Sequence, residues 1–358
     1  MRKNSYFCAM KILMIGDRHD THGSLARALR ARGHAVDLIW DETEIASRRN
    51  GPFARIRFLY DVTQRLPELA GYDVVQLFGP RYLPFAYGKI KYIFGELKKR
   101  NCYMGLTVSE PGYMYASAAV KSGLFRFSMY RTGSEKSALA RMAPHAEYEL
   151  LSNDLRDYTH WLLAETEGVM ALAPEYAIPL RESVGKSLFG VPWPVEPAHS
   201  LPWRDGRIYM RLSGNHNDDV AYGRTSLRLA AEKIAAASGG RCVMEERGDA
   251  GSSSVLLDSM TSYSPGIEAL QAMASGTIAV SGAQPEYYEC IGAGENERPV
   301  ICGVPDGEQA VARELAGLIA DADAFASRSE QSRHFIEKYH SPAIAARRFE
   351  NYWKEKIG

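Results

Sequence analysis

The stretch "YSPGIEALQAMASGTIAVSG", Tyr263 to Gly282, decides the fold. It reads as a strand end, a turn, an amphipathic helix, a glycine stop and a second strand. Pro265 suits a first helical turn, where its missing N–H would have no intrahelical partner. Gly266 lets another group approach the backbone closely. Leu270, Met273 and Ala274 share the face expected to meet a sheet, and Gly276 ends the helix before "TIAVSG". The free N–H groups and the positive end of the helix dipole then mark an anion site suited to a diphosphate. Glu268 and Gln271, three residues apart, are placed to accept hydrogen bonds from sugar hydroxyls. Glu268 reads equally well as a solvated first-turn acid that favours the dipole.

The same alternation extends in both directions. Upstream lie the strand "RIYMRLSG", the glycine-closed helix "RTSLRLAAEKIAAASGG" and the strands "RCVMEERG" and "SVLLDSM". Downstream come the strand "RPVICGVP" and two helices, "GEQAVARELAGLIAD" and "AFASRSEQSRHFIEKYH". A terminal amphipathic helix, "SPAIAARRFENYWKEKIG", follows them. The first half of the chain repeats the theme. "MKILMIGD" is an apolar run with an abrupt polar end, as expected of a parallel strand buried on both faces. It is followed by a helix carrying Leu25, Ala28 and Leu29, by Gly33, and by the strand "HAVDLIW". "YDVVQLFG", "IKYIFGELKKRNCYMGLTV" and "LLSNDLRDYTHWLLAETEGVMALA" continue the pattern. Such alternation predicts α/β architecture with parallel sheets. The segment "FGVPWPVEPAHSLPWRDG" is dense in proline and tryptophan and reads as a linker, placing a boundary at about 192–205. The expected units are residues 1–195, residues 205–340, and a terminal helix at 341–358 that packs back on the first. Two open α/β units place a cleft at the carboxyl ends of their strands.

Composition argues against several classes. There are 43 Lys and Arg against 43 Asp and Glu, so the formal net charge is zero. The electrostatic footprint of a nucleic-acid partner is missing. The five cysteines (8, 102, 242, 290 and 302) have no CxxC spacing, which suits free thiols in a reducing cytoplasm and argues against structural zinc. The start of the chain makes a poor signal peptide, and no apolar run is long enough to span a membrane. A cytoplasmic protein is expected, at most peripheral at the inner face of the membrane.

"GIEALQAMASGTIAVSGAQPEYYE" resembles the donor-site segment of GT-B glycosyltransferases of the glycosyltransferase 4 type. The usual "LEAMA", small residue, glycine, apolar strand and "PE" are present here as "LQAMASG" and "GAQPE". "YDVVQLFGP", "DTHGSLARALRARGHAV", "ELAGLIAD" and "SRHFIEKYHSPAIAARRFENYW" are also similar to such proteins in bacterial glycan-assembly loci, in the right order along most of the chain. The resemblance implies two Rossmann-like domains facing across a cleft, with the last helix crossing back to the first domain. The first domain would take a glycan or lipid-linked acceptor and the second a nucleotide-sugar donor. Hexosyl or related transfer with retention is implied, with no metal and no other cofactor. A catalytically degenerate sugar- or partner-binding relative and a sugar-nucleotide epimerase share the architecture and stay open.

The resemblance also assigns residues. Backbone N–H groups at Gly266 and Ile267, next to Pro265, would meet the diphosphate, where charge develops as the glycosidic bond breaks. A lysine and an arginine normally assist. "DDVAYGRTSL" has no lysine–glycine pair, so Arg224 and Arg211 are the candidates, each equally readable as a structural arginine. Two glutamates normally contact the hexose and the ribose; Tyr263 and Gln271 stand in their places here. Glu268 and Glu286, the latter in "QPEYYE", are candidate replacements, and Glu286 reads equally as a helix-cap carboxylate. The short "EERGDAGSSSVLLD" replaces a helix that often shapes the base pocket. In the first half, the loop "GDRHDTHGS" (Gly16–Ser24) would face donor phosphates and acceptor. Gly16 and His22 are its candidates, with His22 also fit for proton transfer or for a capping loop. Glu110 in "TVSEPGYMY" is the acid expected after a strand.

Two features are weighed and set aside. "DAD" at Asp321–Asp323 resembles a metal-binding DxD by chance. "KIKYIFGELKKR" and "KSGLFRFSMYR" have the composition of a membrane-surface segment, but an ordinary amphipathic helix with a solvated face accounts for it more simply.

Overall fold

The computed structural model describes residues 9–48, 53–132, 135–137, 141, 149–185, 188–199, 206–214, 219–245 and 253–357. The first half is built on β1 (Lys11–Ile15), β2 (Ala35–Ile39), β3 (Val74–Phe78) and β4 (Met104–Val108). A two-stranded antiparallel pair follows, β5 (Arg131–Thr132) with β6 (Glu135–Lys136). β7 (Gly168–Ala171) and β8 (Leu188–Gly190) then complete a six-stranded sheet in the order β2-β1-β3-β4-β7-β8. Every pairing in it is parallel. Beyond the proline-rich segment lie β9 (Ile208–Leu212), β10 (Cys242–Met244), β11 (Val255–Leu257), β12 (Ile278–Ser281) and β13 (Ile301–Cys302). They form a second parallel sheet in the order β10-β9-β11-β12-β13.

The residues explain the strands. "VVQLF" and "VLL" are buried throughout. β8 is three residues long, ends in glycine and has no apolar run, so the sequence pattern did not mark it. Both sheets change direction of build next to their first strand, between β1 and β3 and between β9 and β11. Carboxyl-end loops diverge at such a point and leave a crevice.

The helix Ile267–Ala274 buries Leu270, Met273 and Ala274, as the spacing predicts. Gly276, at φ 90°, stops it in the left-handed region. Asp321 of "DAD" caps the helix Ala322–Phe335, accepting hydrogen bonds from the backbone of Asp323 and Ala324. The apolar face of "KIKYIFGELK" is turned into the first half's core through Ile90, Ile93, Phe94 and Leu97.

The helix Pro342–Ile357 lies on the first half. Its Glu350 carboxylate, almost fully buried, takes an ion pair from Arg32 at 2.5 Å. Trp353 Nε1 donates to Gln76 Oε1 at 3.2 Å. Tyr352 packs so close to Gly168 that any side chain at 168 would collide with its hydroxyl. The two crossings between halves are tied together by His340: its backbone carbonyl accepts from Val195 N at 2.8 Å, and its ring bonds Tyr287 and the Trp193 carbonyl.

Candidate functional site

The carboxyl ends of both sheets converge on one cavity of about 290 Å³. The second half contributes the turn and helix start from Ser259 to Glu268, together with Arg224 and Asp258. The first half contributes Arg18 and His19 after β1, Ser109 and Glu110 after β4, and Glu175 after β7.

Asp258, at the end of β11, organises the second half's wall. Its Oδ1 accepts from Ser213 Oγ at 2.6 Å and faces Arg224 Nη2 at 3.4 Å. Its Oδ2 accepts from Ser281 Oγ at 2.5 Å and from Gly266 N at 3.2 Å. The expected free N–H at Gly266 is therefore corrected: a buried carboxylate already meets it, as expected where a helix start is enclosed. Arg224 is buried, donates through Nε to the Asp258 carbonyl at 2.7 Å, and lies over the Tyr222 ring. Its Nη1 is buried with no hydrogen-bond partner. Glu268 Oε2 accepts from Gly214 N at 2.7 Å, linking the helix start to the loop after β9.

The first half's wall begins with a strained loop. His19 and Asp20 both have positive φ, at 53° and 58°, and Gly16 stands at 80°. Consecutive non-glycine residues in that region are costly and persist where surrounding bonds impose them. Asp17 supplies such bonds, accepting from the backbone of His22 at 2.7 Å and Gly23 at 2.9 Å. Burial nevertheless pushes its carboxyl up to about 6, against the pull of those N–H groups. Arg18 pairs with Glu110.

His22 does not reach this cavity. Its ring is buried edge-on to Phe78, with Nε2 at 3.0 Å from Thr107 Oγ1. Thr107 Oγ1 also accepts from Gln76 Nε2 at 3.0 Å, so three buried polar groups meet at one hydroxyl. Burial lowers the imidazole to about 3, and the ring is neutral at pH 7. As placed, it anchors the loop from beneath. Gly16 lines a second, separate cavity of about 900 Å³ in the first half, which Asp17, Arg18, Arg81, Phe85 and Glu110 also border.

Arg224, Glu110, Tyr263, Pro265, Gly266, Ile267 and Glu268 are thus brought together at the first cavity. Arg211 is not among its lining: it is buried in β9 and paired with Glu245 at 2.5 Å. Gln271 is exposed one turn beyond Glu268, outside the cavity. Tyr263 lines the cavity, yet its hydroxyl accepts from Arg126 N at 2.7 Å and its ring packs on Phe125 and Phe127. Those residues belong to a strap from the first half that crosses to the second. Its Arg126 side chain holds Glu286 at 2.8 Å and Gln284 at 3.1 Å. Glu286 is therefore engaged at the strap, beside the cavity. The short connection between β10 and β11, residues 246–252, lies outside the described residues.

Sequence reading missed Asp258 and Glu175, and its amphipathic helix at "KSGLFRFSMYR" is corrected: residues 123–130 are not helical and form the strap. Asp258 had a faint signal, since an acid ends the apolar run "SVLLD" much as Asp17 ends "MKILMIGD". Glu175 had only the "PE" that opens a short helix.

No family model and no curated protein sequence matches the chain. Solved structures match it in shape. A glycosyltransferase from Rickettsia africae superposes with a TM-score of 0.52 at 12% identity, over 98% of this chain and 99% of its own. The chain has the GT-B fold. The catalytic domain of starch synthase IV from Arabidopsis thaliana, solved with ADP and acarbose, gives 0.61 at 9% identity, over 98% and 100%. An α-glucosyltransferase solved with UDP and a 13-mer DNA gives 0.62 at 10% identity, over 97% and 99%. At these identities the likeness is one of GT-B architecture. Among the described residues no helix is long and apolar enough to cross a membrane, and no group of side chains has the makeup of a metal site.

Proposed function

We propose that this chain is a glycosyltransferase that moves a sugar from a nucleotide-sugar donor to a glycan or lipid-linked acceptor. The observation that carries the reading is the cavity itself. It lies where the carboxyl ends of two parallel sheets meet, and it is lined both by Arg224, whose Nη1 is buried without a partner, and by the start of the helix Ile267–Ala274. A buried guanidinium nitrogen without an acceptor is costly, and a diphosphate oxygen would satisfy it. The Ile267 end of the helix adds its dipole. The leaving diphosphate would gain charge against these fixed donors as the glycosidic bond breaks, with no metal needed. We take transfer to proceed with retention, as in the family that the donor segment resembles.

Arg224 and the Ile267 end of the helix would hold the diphosphate, while Asp258 and Glu268 fix that wall through Gly266 N and Gly214 N. Glu110 and Arg18 would face the acceptor side. The larger cavity beside Gly16 would take the acceptor, because it adjoins the first through Arg18, Phe78 and Glu110. A balanced net charge favours a glycan or lipid-linked acceptor over nucleic acid.

The test is a thermal-shift panel of UDP, GDP, ADP, CMP and their sugar conjugates, with and without magnesium or manganese. A ligand at about a hundred times its dissociation constant adds roughly 2.7 kcal/mol, a rise of a few degrees. A metal-independent rise with one base supports the reading and selects the donor for an acceptor screen. No rise with any nucleotide sinks it. Binding without turnover, hydrolysis included, would point instead to a binding protein. Conversion of the sugar without an acceptor would mark an epimerase.

A further inference from the structure

The cavity holds a second unsatisfied group, and it comes from the opposite half. Glu175 is in the first turn of the short helix Pro174–Ala177 just after β7 and is 7% exposed. Its Oε1 accepts from Ser264 Oγ at 2.8 Å, a bond made across the seam between the halves. Its Oε2 is buried and has no hydrogen-bond partner. A buried carboxyl oxygen left in this state costs free energy that a ligand hydroxyl would recover. The neighbourhood is aromatic: Tyr115, Tyr176 and Tyr222 line the same cavity. Burial raises the carboxyl to about 7, with the Ser264 hydroxyl and nearby backbone N–H groups holding the rise back.

The other acids at this cavity are committed. Glu110 is paired with Arg18, Asp258 accepts from three donors and faces Arg224, and Glu268 accepts from Gly214. The Tyr263 hydroxyl is taken by the strap. Any group attached to a diphosphate at Arg224 and Ile267 must extend toward the first half to meet an acceptor there. Glu175 stands on that side, and Ser264, two residues before Gly266, orients it.

We propose that Glu175 is a sugar-binding residue: its Oε2 hydrogen-bonds a hydroxyl of the donor's sugar from the first half, while Ser264 holds Oε1 from the second. The inference rests on the donor reading given above. It makes recognition of the sugar a property of the closed pair of halves. The nucleoside diphosphate alone does not need the contact.

The experiment compares affinities by isothermal titration. UDP, GDP and ADP are titrated into the wild-type protein, each beside its glucose, mannose and N-acetylglucosamine conjugates, and the base that binds is carried forward. Glu175→Ala is expected to weaken the sugar conjugate by about tenfold, with less than about twofold change for the bare nucleotide. Glu175→Gln keeps the acceptor for Ser264 and offers an amide to the sugar, so its loss is expected to be smaller. Ser264→Ala leaves the acid in place but unheld, and is expected to fall between the two. It also serves if Glu175→Ala does not fold. An unchanged ratio of conjugate to bare nucleotide in Glu175→Ala and Ser264→Ala overturns the proposal, as does an equal loss for both ligands. If the wild-type protein binds neither nucleotide nor conjugate, the donor reading itself fails and takes this inference with it.

Discussion

Asp258 and Glu175 are two buried acids on opposite walls of one cavity, and they are treated differently. Asp258 accepts from the Ser213 and Ser281 hydroxyls and the Gly266 amide, and a guanidinium lies beside it. Glu175 has one side-chain donor and one empty oxygen. A carboxylate so fully bonded has little left to offer a ligand; its work is to fix the helix start and Arg224. A carboxyl with an open oxygen is poorly suited to holding structure and well suited to holding a hydroxyl. Burial alone therefore does not identify a binding acid. The count of satisfied oxygens does.

The largest effect is expected at Asp258. Asp258→Ala would leave Arg224 buried without its counter-charge and Gly266 without its acceptor. A loss of about 3–5 kcal/mol is expected, read as a lower urea midpoint. If stability holds, Asp258 is not the anchor described. Arg224→Lys comes next. Lysine lacks the planar fork that bonds the Asp258 carbonyl and still presents a nitrogen to a ligand, so nucleotide affinity is expected to drop by about tenfold with a smaller loss of stability. Titration calorimetry checks it.

Glu175→Gln sharpens the contrast through pH. The acid stands at about 7 in the folded protein against an ordinary 4.5. Between those values the folded chain keeps a proton that the unfolded chain has released. The wild-type protein therefore loses stability as pH rises through this window, and Glu175→Gln is expected to flatten that loss. Matching melting temperatures of the two proteins at each pH from 4.5 to 7.5 would refute it. The smallest effect belongs to Arg126→Ala. In its ion pair with Glu286 the guanidinium side is half-exposed, so less than about 1 kcal/mol is expected in a thermal melt, with Phe125 and Phe127 still seated on Tyr263.

Most of the architecture was legible in the sequence because parallel strands buried on both faces read as unbroken apolar runs. β11 is such a run, β1 is one after Lys11, and β3 is interrupted only by Gln76; β8 is too short to be one. The helix at Ile267 was legible because the apolar spacing and Gly276 both mark it; Pro265, expected in its first turn, stands one residue before the Gly266 cap. The site was only half legible. Glu268 and Arg224 lie beside features with their own local signature. Glu175 and Asp258 do not, because a single acid after a strand carries no spacing. Glu175 and Ser264 are 89 positions apart, and only the packing of one half on the other makes them neighbours. His22 was misleading for a related reason. A histidine in a polar loop looks available, but Thr107 and Phe78, which bury it, lie on two distant strands.

The bond between Trp353 and Gln76 spans 277 positions. Seen from the ribosome, that separation is a delay. At roughly 5–20 residues per second, on the order of ten seconds pass between synthesis of β8 and of Trp353. Throughout that time Gln76 has no indole to bond and Gly168 has no Tyr352 against it. The first half emerges first but must wait for the crossing helix to close its core, so a nascent chain stalled before residue 340 should be a ready client for chaperones.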